Sequence, residues 1–518
     1  MASVQHKGDG DNGDSGGGDG GTPPHGRHGS HGRHGSHGPH DSNGSNGSNG
    51  SADGGTSAAP GAAARRDLAV RAAVAQGLIS ETEPVVALLD VAGIRASAAA
   101  LRTAFDEVTA PGTAVLHAFA VKAAPLVAVV RLLGEEGIGA EVASPGELAL
   151  ARAAGVRPEH TVLDSPAKTT AELREALALG IAVNADNPQE LDRLDALIGS
   201  GPALIGSGPA SGTGPVASPL GLRINAQVGG GSIGALSTAT ATSKFGIALR
   251  DEGARAWVIR AFLDRPWLTR LHTHSGSQGV PLERMTEGVR TVYELAEEIN
   301  TAAGRRQIDT LDIGGGLPVN FGSDEETPTY AAYARLLRET VPGLLDGRYG
   351  LVTEFGRSLL AKHGTVLARV EYAKSAGGRP IAVTHAGAQL ATRTVYDPAS
   401  WPLRIAAYDA GGRPKTGPAV AQDIAGPACF AGDLLAENRP VPLLEQGDLV
   451  AALDTGAYYF SNHYAYNSLA RPGVHGFVTA PGTAGGGVRF ATVRAAQTVA
   501  EIVTESGGEY ADALLPAG

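Results

Sequence analysis

Short apolar runs alternate with stretches of helical spacing along most of this chain. The first run, residues 84–89, is typical of a strand, and residues 97–108 then place apolar side chains at helical intervals. Later strand-like stretches, each separated from the next by a helix-like one, are residues 114–120, 139–142, 161–163, 181–183, 220–225, 272–274, 310–313 and 351–354. Repeated strand–helix units imply parallel strands joined by right-handed crossovers. About eight such units predict a (β/α)8 barrel, an α/β fold.

The pattern changes after residue 356. Strand-like runs separated by turns, at residues 364–372, 380–384, 448–453 and 489–495, predict a mostly β domain over residues 357–518. We expect the barrel to occupy residues 113–356, after an N-terminal segment of residues 65–112. The strand at residues 84–90 has no barrel neighbour, so we expect it to join the β domain.

Two segments interrupt this texture. Residues 1–64 are mostly Gly, Ser, Asp, Asn and His, a composition that predicts a disordered tail because so few apolar side chains can be buried. The histidine repeat at residues 25–37 either captures transition metals or is an incidental feature of a solvated tail. Residues 199–218, rich in Gly, Ser and Pro, predict a mobile surface insertion in the barrel.

Composition and charge exclude several functions. Hydrophobic residues make up 42% of the 518 residues, which is enough for a sizeable core. The net charge of -11 argues against binding to nucleic acid or to anionic membranes. Cys429 is the only cysteine, which excludes an intramolecular disulfide and fits a reducing compartment. Because neither a secretory leader nor a run of about 18 apolar residues is visible, we expect a cytoplasmic protein.

Candidate chemistry lies where barrel strands end, since reactive residues of such barrels come from the C-terminal ends of the strands. Lys122 closes an apolar run, and in a dry pocket the pKa of a lysine falls, so that its amine can form a Schiff base. A lone lysine more often reaches the surface. The glycines at 314–316 directly follow a strand and can direct backbone N–H groups at a phosphate, although tight turns also use glycine.

Two further strand ends carry ionisable side chains. His272 and His274 would share one face of a regular strand, so a shared metal is geometrically allowed, but no third ligand of matching spacing follows. Stacking of His274 on a flat cofactor, with Ser277 at a phosphate, is the better interpretation, and His272 is read as a core histidine. Glu354 can keep a pyridine nitrogen protonated and Arg357 can bind phosphate, unless the two form a simple ion pair.

Taken together, these motifs resemble the decarboxylase branch of the fold-type III (alanine-racemase-type) enzymes that depend on pyridoxal 5'-phosphate (PLP). That branch includes diaminopimelate and ornithine decarboxylases. The resemblance spans about residues 84–497. Further motifs that carry it are Ala-Val-Lys-Ala at 120–123, Glu-Val-Ala-Ser-Pro-Gly-Glu-Leu at 141–148, Gly-Leu-Arg-Ile-Asn at 221–225, Ser-Lys-Phe-Gly at 243–246, Gly-Pro-Ala-Cys-Phe-Ala-Gly-Asp at 426–433 and Asp-Thr-Gly-Ala-Tyr at 454–458.

The resemblance implies a role for each matching residue. Lys122 would form the Schiff base with PLP, His274 would stack on its ring, and Glu354 would pair with the pyridinium nitrogen. The network behind the ring would comprise Glu141 and Arg223. The phosphate would be surrounded by Ser277, Gly314, Gly315, Gly316, Arg357 and Tyr458. Cys429 would enter the active site from the partner subunit of a homodimer with shared sites.

Three positions bear on the substrate, which the resemblance implies is an amino acid, a small molecule. Arg393 matches an arginine that binds the distal carboxylate in diaminopimelate decarboxylases. Asp397 instead matches an aspartate that binds the distal amine in ornithine decarboxylases. Phe430 replaces the usual Asp or Glu that contacts the distal amine, so we expect meso-diaminopimelate to be a poor substrate.

The expected function is therefore PLP-dependent decarboxylation of an amino acid. A racemase or epimerase on the same scaffold is the first alternative, since Lys122 and Cys429 would offer two acid–base groups. A PLP-binding relative without turnover is the second. Retention of Lys122, His274, Glu354 and Cys429 argues against the second alternative.

Overall fold

The computed structural model describes residues 61–199, 217–479 and 487–515. The histidine repeat and the insertion at residues 199–218 lie outside these ranges, except for the ends of the insertion. The predicted tail also lies outside them up to residue 60, but its last residues start a helix, Ala62–Ala75. None of the described helices is both long and apolar enough to cross a membrane.

Eight parallel strands close into a barrel, as the alternating pattern predicts. Each strand pairs with the next along the chain, and the last, Gly350–Thr353, pairs with the first, Val115–Ala120. The strands between them are Gly139–Val142, Thr161–Asp164, Ala182–Ala185, Leu220–Asn225, Leu268–His272 and Thr310–Asp312. A two-residue strand, Ile247–Ala248, is added beside Leu220–Asn225. Because all eight strands run in one direction, their C-terminal ends meet at one rim of the barrel.

Helices follow the strands and surround the barrel. They are Val127–Glu135, Pro145–Ala153, Thr170–Leu179, Pro188–Gly199, Ala254–Asp264, Leu282–Ala303, Tyr330–Thr340 and the short Arg357–Leu360. Side-chain caps fix where several begin: Ser144 accepts from the Glu147 N–H, and Thr169 forms a capping box with Glu172. Helix Val91–Asp106 precedes the first barrel strand and packs its Phe105 ring 6.3 Å from that of Phe355, just beyond the last strand.

The second sheet forms a mostly β domain and takes in the N-terminal strand, which confirms that prediction. Strand Val85–Asp90 pairs antiparallel with Gly364–Ala376 and parallel with Gly473–Thr479. The remaining strands are Arg379–Thr384, Ile405–Tyr408, Ala419–Ala425, Leu434–Pro442, Leu449–Leu453 and Val488–Arg494. Helix Ala388–Tyr396 and helix Val499–Glu505 accompany this sheet.

Both faces of strand Val85–Asp90 are buried, because alternate side chains point to opposite sides of a strand. Ala87 and Leu89 belong to the large core that fills and surrounds the barrel. Val86 and Leu88 belong to a smaller core that includes residues of helix Ala62–Ala75. The strand thereby fastens the start of the described chain to the C-terminal sheet and sets the sheet against the barrel.

Candidate active site

A ring of polar side chains lines the C-terminal rim of the barrel, one from each strand or from the residues just after it. Apart from Lys122, whose side chain is 41% exposed, all are buried. In chain order the ring residues are Lys122, Glu141, Asp164, Asn184, Arg223, His272, Asp312 and Glu354. Burying so many charges is costly unless they pair with one another, so the ring marks a functional centre.

Lys122 lies in the single turn Val121–Ala123 that follows the first barrel strand. The Tyr458 N–H donates to the Ala123 carbonyl at 2.6 Å and fixes this turn, while the Lys122 ammonium donates to the Glu141 carboxylate. Burial disfavours the ammonium, but Glu141, Tyr458 and Glu354 outweigh burial and raise the pKa of Lys122. The neighbouring acids therefore oppose the lowering of this pKa that a dry pocket alone would cause.

Glu141 is the acid that accepts the hydrogen bond from the Lys122 ammonium. Its side chain is fully buried, and burial, opposed by Lys122, raises the pKa of Glu141 to about 8. A carboxyl group with a pKa in this range gains and loses a proton near neutral pH. The Lys122 ammonium thus lies beside an acid that can gain a proton in this range.

Glu354 directly follows the last barrel strand and lies between two histidines. Its Oε2 is 3.5 Å from His272 Nε2 and 3.6 Å from His274 Nδ1. Although burial opposes ionisation, these histidines hold the pKa of Glu354 well below its usual value. Its Oε1 is buried and finds no hydrogen-bond donor among the residues that the structure describes. An ionised oxygen in this state suits a bound N–H group.

The two histidines do not share a strand face, because the strand Leu268–His272 ends at the first of them. His274 lies in the following loop, where its Nδ1 accepts from the Gly315 N–H at 3.3 Å, and burial lowers its pKa. A neutral imidazole suits stacking on a flat ring. Ligand atoms of His272, His274 and Glu354 lie within 4.8 Å of one another, a grouping that a metal ion could use. The sequence hid this third group because Glu354 comes from another strand.

Arg223 and Asp164 extend the network on the far side of His272. Arg223 Nη1 donates to Asp164 Oδ2 at 3.0 Å, and its guanidinium lies 4.3 Å from the centre of the Phe245 ring. Burial opposes ionisation of Asp164, but Arg223 and His272 lower its pKa. Sequence analysis missed Asp164 and Asp312. Both are single acids that end apolar strands, the same signal that identified Lys122.

The glycine triplet forms a close-packed cradle. The Gly314 N–H donates to Asp312 Oδ1 at 3.0 Å, and Gly314 and Gly316 have φ angles of +65° and +87°. A Cβ at Gly315 would collide with the Glu354 carbonyl, and one at Gly316 with the Gly276 carbonyl, next to Ser277. Only glycine lets these loops approach so closely, and of the three N–H groups only that of Gly316 has no acceptor within the described chain and could face a phosphate.

Arg357 and Arg393 lie side by side over the same two aromatic rings. The Arg357 guanidinium is 4.4 Å from the ring of Tyr458 and 4.9 Å from that of Trp401. The corresponding distances for Arg393 are 4.6 Å and 5.0 Å. Arg393 Nη1 is buried without a hydrogen-bond partner among the described residues, and burial lowers the pKa of Arg357 to about 10. Two guanidinium groups in this setting suit an anion.

The other predicted substrate and catalytic residues make contacts away from the ring. Cys429 is exposed, and its N–H donates to Asn467 Oδ1 at 2.8 Å. Phe430 stacks on Tyr396 with ring centres 5.7 Å apart. Asp397 is also exposed, and its Oδ1 accepts from the Ser400 N–H at 3.3 Å.

These features fit PLP. The glycine cradle suits its phosphate, the Lys122 amine suits its aldehyde, and the unpartnered oxygen of Glu354 suits its ring nitrogen. The neutral His274 imidazole suits the face of its ring. A (β/α)8 barrel with this rim and an added β domain defines a fold-type III PLP enzyme.

Comparison with known proteins narrows this class. The family described as "Pyridoxal-dependent decarboxylase, pyridoxal binding domain" matches residues 92–361. The diaminopimelate decarboxylase of Zymomonas mobilis is 32% identical over 356 residues, which cover 68% of this chain and 78% of that protein. The diaminopimelate decarboxylase of Pseudomonas aeruginosa is 34% identical over 360 residues, which cover 69% and 80%. The chain belongs to this family of PLP-dependent decarboxylases, and it is a carboxy-lyase.

Solved structures share the architecture. Diaminopimelate decarboxylase from M. jannaschi superposes with a TM-score of 0.70 at 25% identity, covering 84% of this chain and 94% of that one. Lysine/ornithine decarboxylase from Vibrio vulnificus, complexed with putrescine, superposes with a TM-score of 0.62 at 24% identity. It covers 80% of this chain and 98% of its own, and it shows the fold alone.

We expect Gly316→Ala to weaken PLP binding by about 10-fold, because the added methyl group forces the cradle apart at a cost of 1–3 kcal/mol. Titration of the apoprotein with PLP, followed by absorbance, measures this affinity. Gly378→Ala is the matched control: its φ of +79° is similar, but no atom lies within 4 Å of the new Cβ. Equal losses in both variants would assign the effect to backbone strain and contradict the cradle.

Proposed function

We propose that the protein decarboxylates an amino acid that carries a second, acidic group and lacks a distal amine, at a site completed by the partner subunit of a homodimer. The observation that carries this proposal is the pair Arg357 and Arg393, which form no ion pair with a carboxylate of the described chain and of which Arg393 has a buried Nη1 without a partner there. Membership of the decarboxylase family fixes neither the substrate nor the assembly, and the proposal names both.

Four residues would hold and tune the cofactor. Lys122 would bind it covalently once Glu141 has taken the ammonium proton. Glu354, kept ionised by its histidines, would hold a proton on the ring nitrogen, and His274 would cover one face of the ring. Bound PLP withdraws electrons from the substrate Cα and so lowers the barrier to loss of CO2. Arg223 would steady this arrangement through Asp164.

Arg357 and Arg393 would each bind a different anion. Arg357 follows Glu354 by three residues, and with Tyr458, Ser277 and the glycine cradle we expect it to contact the phosphate. Arg393 lies beyond it over Trp401, with an unused N–H donor. A carboxylate at the far end of the substrate would satisfy that donor, which is why we infer an acidic second group.

A distal ammonium has no comparable partner. Asp397 is exposed, and its carboxylate is engaged by the Ser400 N–H. Phe430 offers an apolar ring that packs between Tyr396 and Tyr466. A buried ammonium without a counter-charge is costly, so substrates of the diaminopimelate type should react poorly.

Cys429 would act from the partner subunit. It is exposed on the loop between the strands Ala419–Ala425 and Leu434–Pro442, away from the ring of its own chain. In a homodimer this loop would reach the neighbouring barrel, where the thiol would protonate the substrate carbon after CO2 leaves. A thiol can donate a proton near neutral pH, and an interface excludes water from that step.

The holoenzyme tests the substrate class when CO2 release and product chirality are followed over a panel of amino acids. We expect turnover of a dicarboxylic amino acid and poor turnover of meso-diaminopimelate and L-lysine. Lys122→Ala should abolish turnover together with the visible absorbance of covalently bound PLP. Efficient decarboxylation of diaminopimelate would contradict the proposal, and inversion without CO2 release would indicate a racemase.

Substitution of the two candidate specificity residues separates their roles. Arg393→Gln should lower kcat/KM for the acidic substrate by ~10²-fold, mainly through KM, because the substrate carboxylate loses its buried partner. Asp397→Asn, the control, should stay within about twofold, since its side chain is exposed. Steady-state kinetics measure both. A larger loss in Asp397→Asn than in Arg393→Gln would instead favour a substrate with a distal amine.

Subunit mixing tests the shared site. Lys122→Ala should be inactive alone, whereas Cys429→Ala should still bind PLP and release CO2 but lose activity progressively, because the substrate carbon lacks its proton donor. Mixed under conditions that exchange subunits, they should regain up to about a quarter of the wild-type activity, since one hybrid site per heterodimer contains both residues. Mass spectrometry of the mixture verifies exchange. Demonstrated exchange without recovered activity would refute the contribution of Cys429 across the interface.

A further inference from the structure

His272 is fully buried, yet neither ring nitrogen has a hydrogen-bond partner within the described chain. Instead the ring lies between two carboxylates: Nδ1 is 3.6 Å from Asp164 Oδ1, and Nε2 is 3.5 Å from Glu354 Oε2. Buried polar atoms are normally satisfied by hydrogen bonds. For an imidazole with a carboxylate at each nitrogen, the interaction that accounts for its position is electrostatic.

The charges of the ring residues explain why an imidazole lies between these two carboxylates. Four of the ring residues are acids, Glu141, Asp164, Asp312 and Glu354, whereas only Lys122 and Arg223 are permanent cations. Burial raises the pKa of Glu141 and Asp312, so these two acids can take up protons, whereas the pKa values of Asp164 and Glu354 are lowered and these two stay ionised. His272 is the ring member that lies between these two ionised acids.

The surroundings of the histidines agree with this assignment. Burial opposes the charge on His272, but Asp164, Glu354 and Asp312 outweigh burial and raise its pKa to about 9. For His274, burial prevails over Glu354 and lowers the pKa, with Arg223 and Lys122 acting in the same direction. Burial lowers the pKa of His117, elsewhere in the barrel, to about 4. Of these three, His272 alone lies between two acids.

We propose that His272 is a positioning residue: as an imidazolium between Asp164 and Glu354, it keeps Glu354 ionised beneath the cofactor. The inference rests on the proposed function in so far as Glu354 faces the ring nitrogen. A proton shared between that nitrogen and Glu354 goes to the more basic partner. A cation on the far side of Glu354 makes the carboxylate less basic, so the proton stays on the nitrogen, where the reaction needs it.

A double-mutant cycle tests whether His272 acts through Glu354. His272→Gln should lower kcat about 10- to 100-fold, the range seen when a group that supports a primary contact is removed. In a Glu354→Gln background the same change should matter less than about twofold, because the carboxylate to be tuned is gone. His117→Gln is the control, since it also replaces a buried barrel histidine, one that bonds to Thr353 Oγ1 at 2.8 Å. If the effects of His272→Gln and Glu354→Gln on kcat multiply, or if His117→Gln lowers kcat equally, the proposal is overturned.

Melting of the apoprotein against pH tests the charge of His272 without turnover. Because its folded-state pKa is raised, the stabilisation by the imidazolium is complete below the unfolded value of 6.5 and is lost as pH rises through about 9. The Tm difference between wild type and His272→Gln should therefore shrink across that window. A constant difference would show that His272 is neutral. Glu141 and Asp312 also titrate in this range, and because Asp312 interacts with His272 the comparison is repeated with Asp312→Asn in both proteins.

A compensating substitution keeps the test decisive if His272→Gln folds poorly. His272→Gln/Asp312→Asn removes one acid with one cation and should melt higher than His272→Gln alone, whereas a steric role predicts two additive losses.

Metal analysis tests whether His272, His274 and Glu354 bind a metal ion instead. If wild type holds stoichiometric metal that His272→Gln lacks, His272 is a metal ligand and not an imidazolium, and the proposal is refuted. If wild type neither binds PLP nor releases CO2, the proposed function fails, while the melting result still decides the charge of His272.

Discussion

The contact on which the site depends is the one between the Glu354 carboxylate and the two histidines beside it. A carboxylate that is only 2% exposed is stable as an ion only if cations or N–H donors surround it. His272 and His274 approach one of its oxygens, and the other oxygen has no donor among the described residues. Beyond His272, Asp164 and Arg223 continue a row of alternating negative and positive side chains. A change at one of these residues therefore alters the proton affinity of the others.

The barrel makes this alternation available to residues that are distant in sequence. Parallel strands end at one rim, and each contributes one polar side chain at nearly the same height. Glycines at the rim then let loops close over the ring at distances that any Cβ would prevent. The β domain completes the site from above, because the Tyr458 N–H bonds to the turn that carries Lys122 and its ring receives Arg357 and Arg393.

Periodicity sufficed to predict the barrel, the added β sheet and the entry of the N-terminal strand, because each depends on local spacing of apolar residues. Lys122, Glu354 and the glycine triplet were found by their position at strand ends. The partners of His272 could not be found in this way, because Asp164 and His272 come into contact only when the barrel closes. The direction of the Lys122 pKa depends on the assembled rim for the same reason, because the carboxylates of Glu141 and Glu354 come from other strands.

The strand Val85–Asp90 has a consequence for how the chain folds as it is synthesised. It leaves the ribosome early, but its two neighbours, Gly364–Ala376 and Gly473–Thr479, are made only after the whole barrel. Until then the strand has two unpaired edges and apolar side chains on both faces, a combination that invites association with other chains. The nascent chain therefore carries an unpaired apolar strand while the whole barrel is made, and chaperones that bind extended apolar segments have a target there.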